Sequence, residues 1–466
     1  MAFKKPPNLL DTHRAFIKVL VDLYREHGVD SLVGFVERCE QFITPQSLPI
    51  AVPQTRLKHP LTADQQCAWE KINMWLATNE PFFTLKGYAG TGKSYLMQLL
   101  PSLSHNFVFS APTNKTTAVL SSFLGLQAKT IYSVLGMRMD TDEDKLKLTV
   151  ASDLPDLGNK PILVIDECGM IPKFMADLLK QACLERGWRV IFVGDPAQLN
   201  PVGEDRSIVW SMAKTEWRAL LKQVVRFDNE LLNLSMRIRK RIRDENYSHN
   251  IIRDDNSNGQ GVFVVQRSEM LKTLKGLTLK DWEQHKVLCW RNRTVDSYNR
   301  IIREALGFTN VFEVGENILM ASPLFGESGT LAHTDEELKV AEISNRVFTY
   351  NEGAIDSYVL SVEDRPYNLY IPKNPDALSA ILAKRADAAS ASAKNRKELW
   401  KSFWDVKNTF QNVKYGYAFT NHRAQGSTYQ HVFADQQDIL ANPDRLEALR
   451  SLYVTATRPQ RSLTTY

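Results

Sequence analysis

The sequence predicts an α/β fold in which helices flank mostly parallel sheets, arranged as two such domains in one chain. Three observations carry that expectation. From about Leu57 to Lys222, short apolar runs alternate with helical stretches, the order that parallel strands and their crossovers require. The first run, Phe82-Phe83-Thr84-Leu85, leads into Gly87-Tyr88-Ala89-Gly90-Thr91-Gly92-Lys93-Ser94, a G-x-x-x-x-G-K-S loop that opens a helix at Ser94. A second strand-and-helix block begins near Lys222, is interrupted, and resumes at Tyr415.

Taken in order, residues 1–55 read as a helical extension. Leu9 to Leu23 and Val29 to Phe42 carry apolar residues at three-to-four spacing, and Pro45, Pro49 and Pro53 then break the chain. The first α/β domain spans 56–222, with strands expected at Phe82–Leu85, Asn106–Ser110, Ile162–Ile165 and Val190–Val193. At about 130–160 the alternation lapses. An acidic turn, Asp140-Thr141-Asp142-Glu143-Asp144, lies between strand-like arms and predicts a protruding hairpin from Met137 to Val150. The second domain takes residues 223–311 and 411–466, with a strand at Val287–Trp290 and a helix from Val295 to Leu306. Between its halves, 312–410 reads as an insertion: a β-like part, Val347 to Val362, and an alanine-rich basic helical part, Ala377 to Asp405.

Composition narrows the function classes. With 466 residues, 43% hydrophobic and 24% charged, the chain is that of a folded multidomain protein. No apolar run suits a membrane span and the N-terminus lacks the apolar core of a signal peptide, so a cytoplasmic protein is expected. The five cysteines form no C-x-x-C pair, which argues against a zinc site or a disulfide framework. A net charge of +5 permits a polyanionic partner without demanding one.

The chemistry begins at the loop. Its glycines let the backbone wrap phosphates, and amides of Ala89, Gly90, Thr91 and Gly92 at the helix start point at their oxygens. Lys93 is placed to neutralise the outer phosphates and Ser94 to hold Mg²⁺, so ATP and Mg²⁺ are the expected cofactors. Ile162-Leu163-Val164-Ile165-Asp166-Glu167 is an apolar strand ending in two carboxylates. Asp166 would lie near Mg²⁺ and Glu167 would polarise the attacking water. The strand Val190–Val193 runs into Gly194-Asp195-Pro196-Ala197-Gln198, where the Gln198 amide can sense the terminal phosphate.

In this arrangement the chain resembles superfamily 1 helicases, through all their motifs in order over residues 61–458. Leu61-Thr62-Ala63-Asp64-Gln65 resembles the glutamine motif, which implies that Gln65 contacts adenine. Ala111-Pro112-Thr113-Asn114-Lys115 resembles motif Ia, and Thr130-Ile131-Tyr132-Ser133 motif Ib with tyrosine in place of the usual histidine. Val224-Val225-Arg226 resembles motif IV, whose arginine reaches the γ-phosphate. Phe419 to Thr428 is close to motif V, with Gln425 and Gly426 on the nucleotide side. Leu452 to Arg458 is close to motif VI, which makes Arg458 the arginine finger. The likeness is greatest to the phage Dda and RecD-like 5′-to-3′ group. It implies two tandem RecA-like P-loop domains, a β-hairpin pin (1B) in the first, and an inserted 2B domain, part β-barrel-like and part helical, in the second.

The same resemblance implies an ATP-dependent DNA helicase that translocates on single-stranded DNA and separates duplex junctions; with both cleft halves on one chain it needs no partner subunit, so a monomer is expected. It leaves room for replication or recombination proteins as further partners, in a bacterial or phage-infected cytoplasm. Contacts to DNA would fall on Pro112, Thr113, Lys115 and Tyr132 in the first domain and on Asn292, Thr420, His422 and Arg423 in the second. A motor must accept any sequence, so phosphate and stacking contacts are expected. Trp400 and Trp404, one helical turn apart, serve either a core or base stacking. The basic run Arg237 to Arg243 reads more readily as a solvated helix face than as a DNA patch. Two other classes compete. A P-loop phosphotransferase would have no use for motifs V and VI, and an ATPase-dead remodelling protein would not need intact Lys93, Asp166, Glu167, Gln198, Arg226 and Arg458.

Overall fold

Ile162–Ile165 is buried at every position, as a strand covered by helices on both faces must be. A computed structural model of the protein describes residues 59–466, apart from 104, 143–144, 151–154, 226–229, 248–251, 327–328 and 393–394. The helical extension expected over 1–55 lies outside the described residues.

The first domain contributes β1 (Phe82–Gly87), β2 (Phe107–Ala111), β3 (Lys129–Thr130), β4 (Met137–Asp142), β5 (Lys145–Val150), β6 (Ile162–Ile165), β7 (Arg189–Gly194) and β8 (Arg218–Leu221). Six of these form one sheet in the order β3-β2-β6-β7-β1-β8, every neighbouring pair parallel. Three adjacent strands, β6, β7 and β1, therefore end side by side. Those ends carry Asp166-Glu167, the Gly194–Gln198 loop and the G-x-x-x-x-G-K-S loop, so the order alone brings the expected chemistry together.

The helix Ala63–Leu76 shows why the local sequence folds as it does. Thr62 and Gln65 form a reciprocal capping box at its start, and Trp69, Ile72 and Trp75 are fully buried on its inner face. At its other end, Arg189 donates to the carbonyls of Trp75 and Leu76 and lies 3.8 Å over the Trp75 ring. The hairpin expected from Met137 to Val150 is present: β4 and β5 pair antiparallel, with Met137 opposite Val150 and Asp142 opposite Lys145.

The second domain adds β9 (Asp255–Ser257), β10 (Gln260–Val264) and β11 (His285–Cys289). The insertion adds β12 (Asn317–Met320), β13 (Leu324–Gly326), β14 (Gly329–Ala332), β15 (Glu337–Tyr350), β16 (Gly353–Val362), β17 (Asn368–Pro372) and β18 (Val413–Tyr415). After it come β19 (Ala418–Thr420), β20 (Tyr429–Ala434) and β21 (Pro459–Thr465). The second domain's sheet has the order β19-β11-β20-β21-β10-β9, with β9 its one antiparallel member. Two such sheets in tandem make the expected pair of RecA-like domains. The helices Glu230–Arg243 and Arg445–Thr457 share a core of Leu231, Leu234, Ile238, Leu449, Leu452 and Tyr453.

The insertion differs from expectation at two points. Its five-stranded antiparallel sheet runs β17-β16-β15-β12-β18, so Val413–Tyr415 belongs to it although the insertion was expected to end at 410. Three residues of weak patterning close the sheet only because Asn317–Met320 offers them an edge. The alanine-rich stretch is two helices, Pro375–Ala391 and Arg396–Thr409, with Ser392 extended between them. Arg385 fixes their pairing by donating to Ser402 across the two helices and to Glu352 at 2.9–3.0 Å. Among the described residues no helix is long and apolar enough to cross a membrane, and Cys67, Cys168, Cys183 and Cys289 are free.

Candidate active site

A cavity of about 1120 Å³ opens where the ends of β1, β6 and β7 face the helix Arg445–Thr457. Its lining includes Ala89, Gly90, Lys93, Ser94, Asp166, Glu167 and Gln198 from the first sheet. Gly426, Ser427 and Arg458 come from the second. Residues remote in sequence thus share one space.

The loop is held in shape from beneath. Gln65, which is 2% exposed, donates from Nε2 to the Thr91 carbonyl at 3.0 Å and accepts from the Thr62 N–H at 3.0 Å. Gly92 sits at φ +79°, and a Cβ there would stand 2.3 Å from that same Nε2. Both polar ends of Gln65 are therefore engaged within the protein, and an adenine contact would have to exchange one of them. Lys93 Nζ donates to the carbonyls of Gly87 at 2.8 Å and Tyr88 at 3.1 Å. An ammonium on two neutral carbonyls is held in place without a direct ion pair, and Asp166 and Glu167 act on its charge only through space.

The two carboxylates are half-buried on the cavity wall. Asp166 Oδ1 accepts from the Glu167 N–H at 2.9 Å. Burial raises the Asp166 carboxyl, against the pull of Lys93. Glu167 is pushed up to about 7, by burial first and by Asp166 beside it second, with Lys93 and Arg458 opposing. Its backbone is left-handed, φ +49° and ψ +37°, which a non-glycine residue adopts only when the surrounding structure imposes it. Sequence alone gave no sign of that strain.

On the other wall, Arg458 is 5% exposed and is held by the carbonyls of Val454 at 3.1 Å and Ser427 at 2.9 Å and by the Thr457 hydroxyl at 2.9 Å. Burial works against its charge and Glu167 supports it. Arg226 lies outside the described residues. Gln198 and Gln425 each bury an amide oxygen with no hydrogen-bond partner. Gly426 brings the walls together: at φ +80°, a Cβ on it would meet Thr116 Cγ2 at 2.4 Å.

Three residues to which motif reading assigned no such role also bridge the walls. Tyr453 Oη donates to Asp195 Oδ2 at 2.6 Å and accepts from the Ala89 N–H at 3.3 Å. Arg450 Nη1 donates to the carbonyls of Pro196 at 2.6 Å and Gln198 at 2.7 Å. The Arg239 guanidinium lies 3.3 Å over the Tyr88 ring, so one member of the basic run faces the loop rather than solvent.

Of the residues expected to touch nucleic acid, Lys115 lines this same cavity, as does Glu337. Lys115 Nζ is 3.5 Å from Glu337 Oε1, while the other oxygen of Glu337 is 2.9 Å from the buried Lys286. Burial alone would raise the Glu337 carboxyl, but the two lysines outweigh it and hold it below its ordinary value. Arg423 Nη1 is 3.4 Å from Asp335 Oδ1. His422 Nε2 is 3.5 Å from Glu447, and burial lowers the pKa of its imidazole. Pro112 is buried, and Thr113 caps the helix Asn114–Leu124 with its hydroxyl on Thr116. The Tyr132 ring is 39% exposed. Asn292 begins the helix Asn292–Ala305, whose first turn is fixed by Asp438 accepting from the Trp290 and Arg291 N–H groups. Thr420 precedes the short helix Asn421–Ala424. Trp400 is buried edge-on against Phe403 in the insertion, which is the core placement rather than an open stacking platform.

An AAA domain family model matches residues 60–253, and a UvrD-like helicase C-terminal domain model matches residues 415–464. An uncharacterized protein of Acanthamoeba polyphaga mimivirus is 25% identical, with 86% of this chain and 98% of the relative covered. The ATP-dependent DNA helicase dda of Enterobacteria phage T4 is 26% identical, with 85% of this chain and 97% of the relative covered. A crystal structure of Pif1 helicase from Bacteroides in complex with ADP-AlF3 and ssDNA superposes with a TM-score of 0.48 at 16% identity, over 87% of this chain and 92% of that one.

Proposed function

We infer that this chain, which belongs to superfamily 1 of the helicases and to its Dda-like group, hydrolyses ATP to move along single-stranded DNA and to separate duplex DNA ahead of it. We propose the direction 5′ to 3′. The observation that carries the reading is the shared cavity: Lys93, Asp166 and Glu167 line it from one sheet and Arg458 from the other.

In this reading ATP lies in that cavity with its phosphates on the loop amides of Gly87 to Gly92. Lys93 leaves two carbonyl partners for the β- and γ-phosphate oxygens. Glu167 takes a proton from the attacking water, a task suited to a carboxyl whose pKa sits near neutrality. Gln198 turns its unpartnered amide oxygen toward that water, and its NH2 can donate to the γ-phosphate. Arg458, with Arg226, stabilises charge spreading over the γ-phosphoryl, and arginines so placed are worth ~10³ or more in rate. Gln65 reads adenine, and Gln425 and Gly426 close over the nucleotide.

The hydroxyl of Ser94 and the carboxylate of Asp166 line the cavity with hard oxygen donors that fit Mg²⁺. Among the described residues no cluster of three or more acidic, histidine or cysteine side chains could hold a metal by itself. A magnesium ion here would share its remaining positions with phosphate oxygens and water, the usual habit of this ion, and would offset charge on the β- and γ-phosphates.

DNA runs across the two sheets in this reading. Pro112, Thr113, Lys115 and Tyr132 meet it on the first domain, and Asn292, Thr420, His422 and Arg423 on the second. The hairpin β4–β5 acts as the separating pin and 312–410 as domain 2B. The chain works as a monomer, since both walls of the cavity come from one polypeptide. The test is unwinding of duplexes bearing a 5′ or a 3′ single-stranded tail, with ATP turnover measured with and without single-stranded DNA. Strand separation from the 5′ tail with DNA-stimulated turnover is expected. Turnover indifferent to DNA would favour a phosphotransferase.

A further inference from the structure

One face of the helix Arg445–Thr457 holds more of the first sheet than an arginine finger requires. Arg450 and Tyr453 are three residues apart, so their side chains leave the helix on the same side. Both reach the loop after β7. Arg450 Nη1 donates to the Pro196 and Gln198 carbonyls at 2.6 and 2.7 Å, and Tyr453 Oη donates to Asp195 Oδ2 at 2.6 Å. Asp195 in turn turns the loop back on itself, accepting from the Ala197 N–H at its side chain and from the Gln198 N–H at its carbonyl. The backbone on both sides of the Gln198 side chain is thus tied down. Its amide oxygen, by contrast, is buried without a partner. Tyr453 also accepts from the Ala89 N–H, so one phenol oxygen, 1% exposed as a residue, joins the phosphate-cradling loop to the loop bearing Gln198.

We propose that Arg450 and Tyr453 are positioning residues of the ATPase. They hold the Asp195–Gln198 loop so that the Gln198 amide is presented to the terminal phosphate. When that phosphate leaves, they pass the resulting loop movement to the helix that ends in Arg458. This rests on the reading of the cavity as an ATP site. The chemistry of the contacts suits the task. Tyr453 is donor to one loop and acceptor from the other, so a shift in either changes the partner available to both. Arg450 answers carbonyl oxygens, whose direction follows the loop backbone directly.

The experiment compares full-length wild type, Tyr453→Phe, Gln198→Ala and the double variant in ATP turnover on single-stranded DNA, together with binding of a fluorescent ATP analogue. Tyr453→Phe removes one oxygen and leaves the ring's packing in place. We expect kcat to fall between about tenfold and a hundredfold, as for a misplaced catalytic group, while KM and analogue binding stay within about twofold of wild type. In the Gln198→Ala background the same change should cost almost nothing, because the group it positions is gone. Wild-type kcat in Tyr453→Phe, or effects that multiply in the double variant, overturns the proposal. Should Tyr453→Phe lose its cooperative melting transition, Arg450→Lys, which keeps the charge but not the two-carbonyl reach, is held to the same outcomes. Absence of turnover in the wild-type chain itself would instead overturn the ATP-site reading on which the proposal stands.

Discussion

The cations proposed to meet ATP and those proposed to meet DNA are satisfied in different ways. At the proposed nucleotide site, Lys93 and Arg458 donate their hydrogen bonds to neutral carbonyls and a hydroxyl, while Asp166 and Glu167 act on them only through space. Among the proposed DNA contacts, Lys115 and Arg423 are met by carboxylates, Glu337 and Asp335, both supplied from the insertion. An incoming phosphate therefore faces two different exchanges. At Lys93 it replaces dipoles with full charges and gains a strong electrostatic interaction in a partly enclosed space. At Lys115 or Arg423 it displaces a group of its own sign, and the gain is small. That difference suits a protein that must grip a triphosphate firmly while releasing its track at each step.

The largest effect should come from removing the charge at the nucleotide site. Lys93→Ala is expected to lower DNA-stimulated ATP turnover by about 10³ or more without loss of the folded state, as followed by turnover and thermal melting. Retention of a tenth of wild-type turnover would break the contrast, because this ammonium would then not be the main phosphate partner. Arg458→Ala should cut turnover by about 10²–10³ and leave single-stranded DNA affinity near normal, since its anchors all lie within the second domain. The smallest and most discriminating change is Asp335→Asn. Asp335 already has a left-handed backbone at φ +63°, which asparagine tolerates well. Freed of its carboxylate, Arg423 should bind single-stranded DNA about threefold more tightly at low salt, with a gain that shrinks as salt rises. DNA-independent turnover should not move. Unchanged affinity in a fluorescence titration would mean that the carboxylate does not compete with phosphate.

Much of the first domain could be read from residues alone because each signal is local. Four apolar runs gave four strands, and the loop and carboxylates sit at strand ends that the sheet order makes adjacent. The hairpin from Met137 to Val150 was readable for the same reason, an acidic turn between two extended arms. What escaped depends on distance along the chain. Tyr453 and Asp195 are 258 residues apart, and no periodicity or spacing connects a helix in one domain to a turn in the other. Glu337 and Asp335 were invisible as partners of Lys115 and Arg423 because their role follows from how the insertion is threaded into the second domain. Short strands such as Val413–Tyr415 escaped too. They carry too few residues to show alternation and become strands only when a neighbour offers hydrogen bonds. Gln65 was read as a base-contacting amide, and its place beneath the loop is set by the missing side chain at Gly92, a tertiary fact.

The bare backbone of Gly426 against Thr116 has a mechanical meaning. The approach of the two cavity walls has a hard limit here, set by the absence of a single methyl. An alanine at that place would act as a wedge between the walls, in a backbone conformation it adopts only under strain. How closely the two walls of the cavity meet is thus set by one hydrogen atom, at the edge of the proposed nucleotide position.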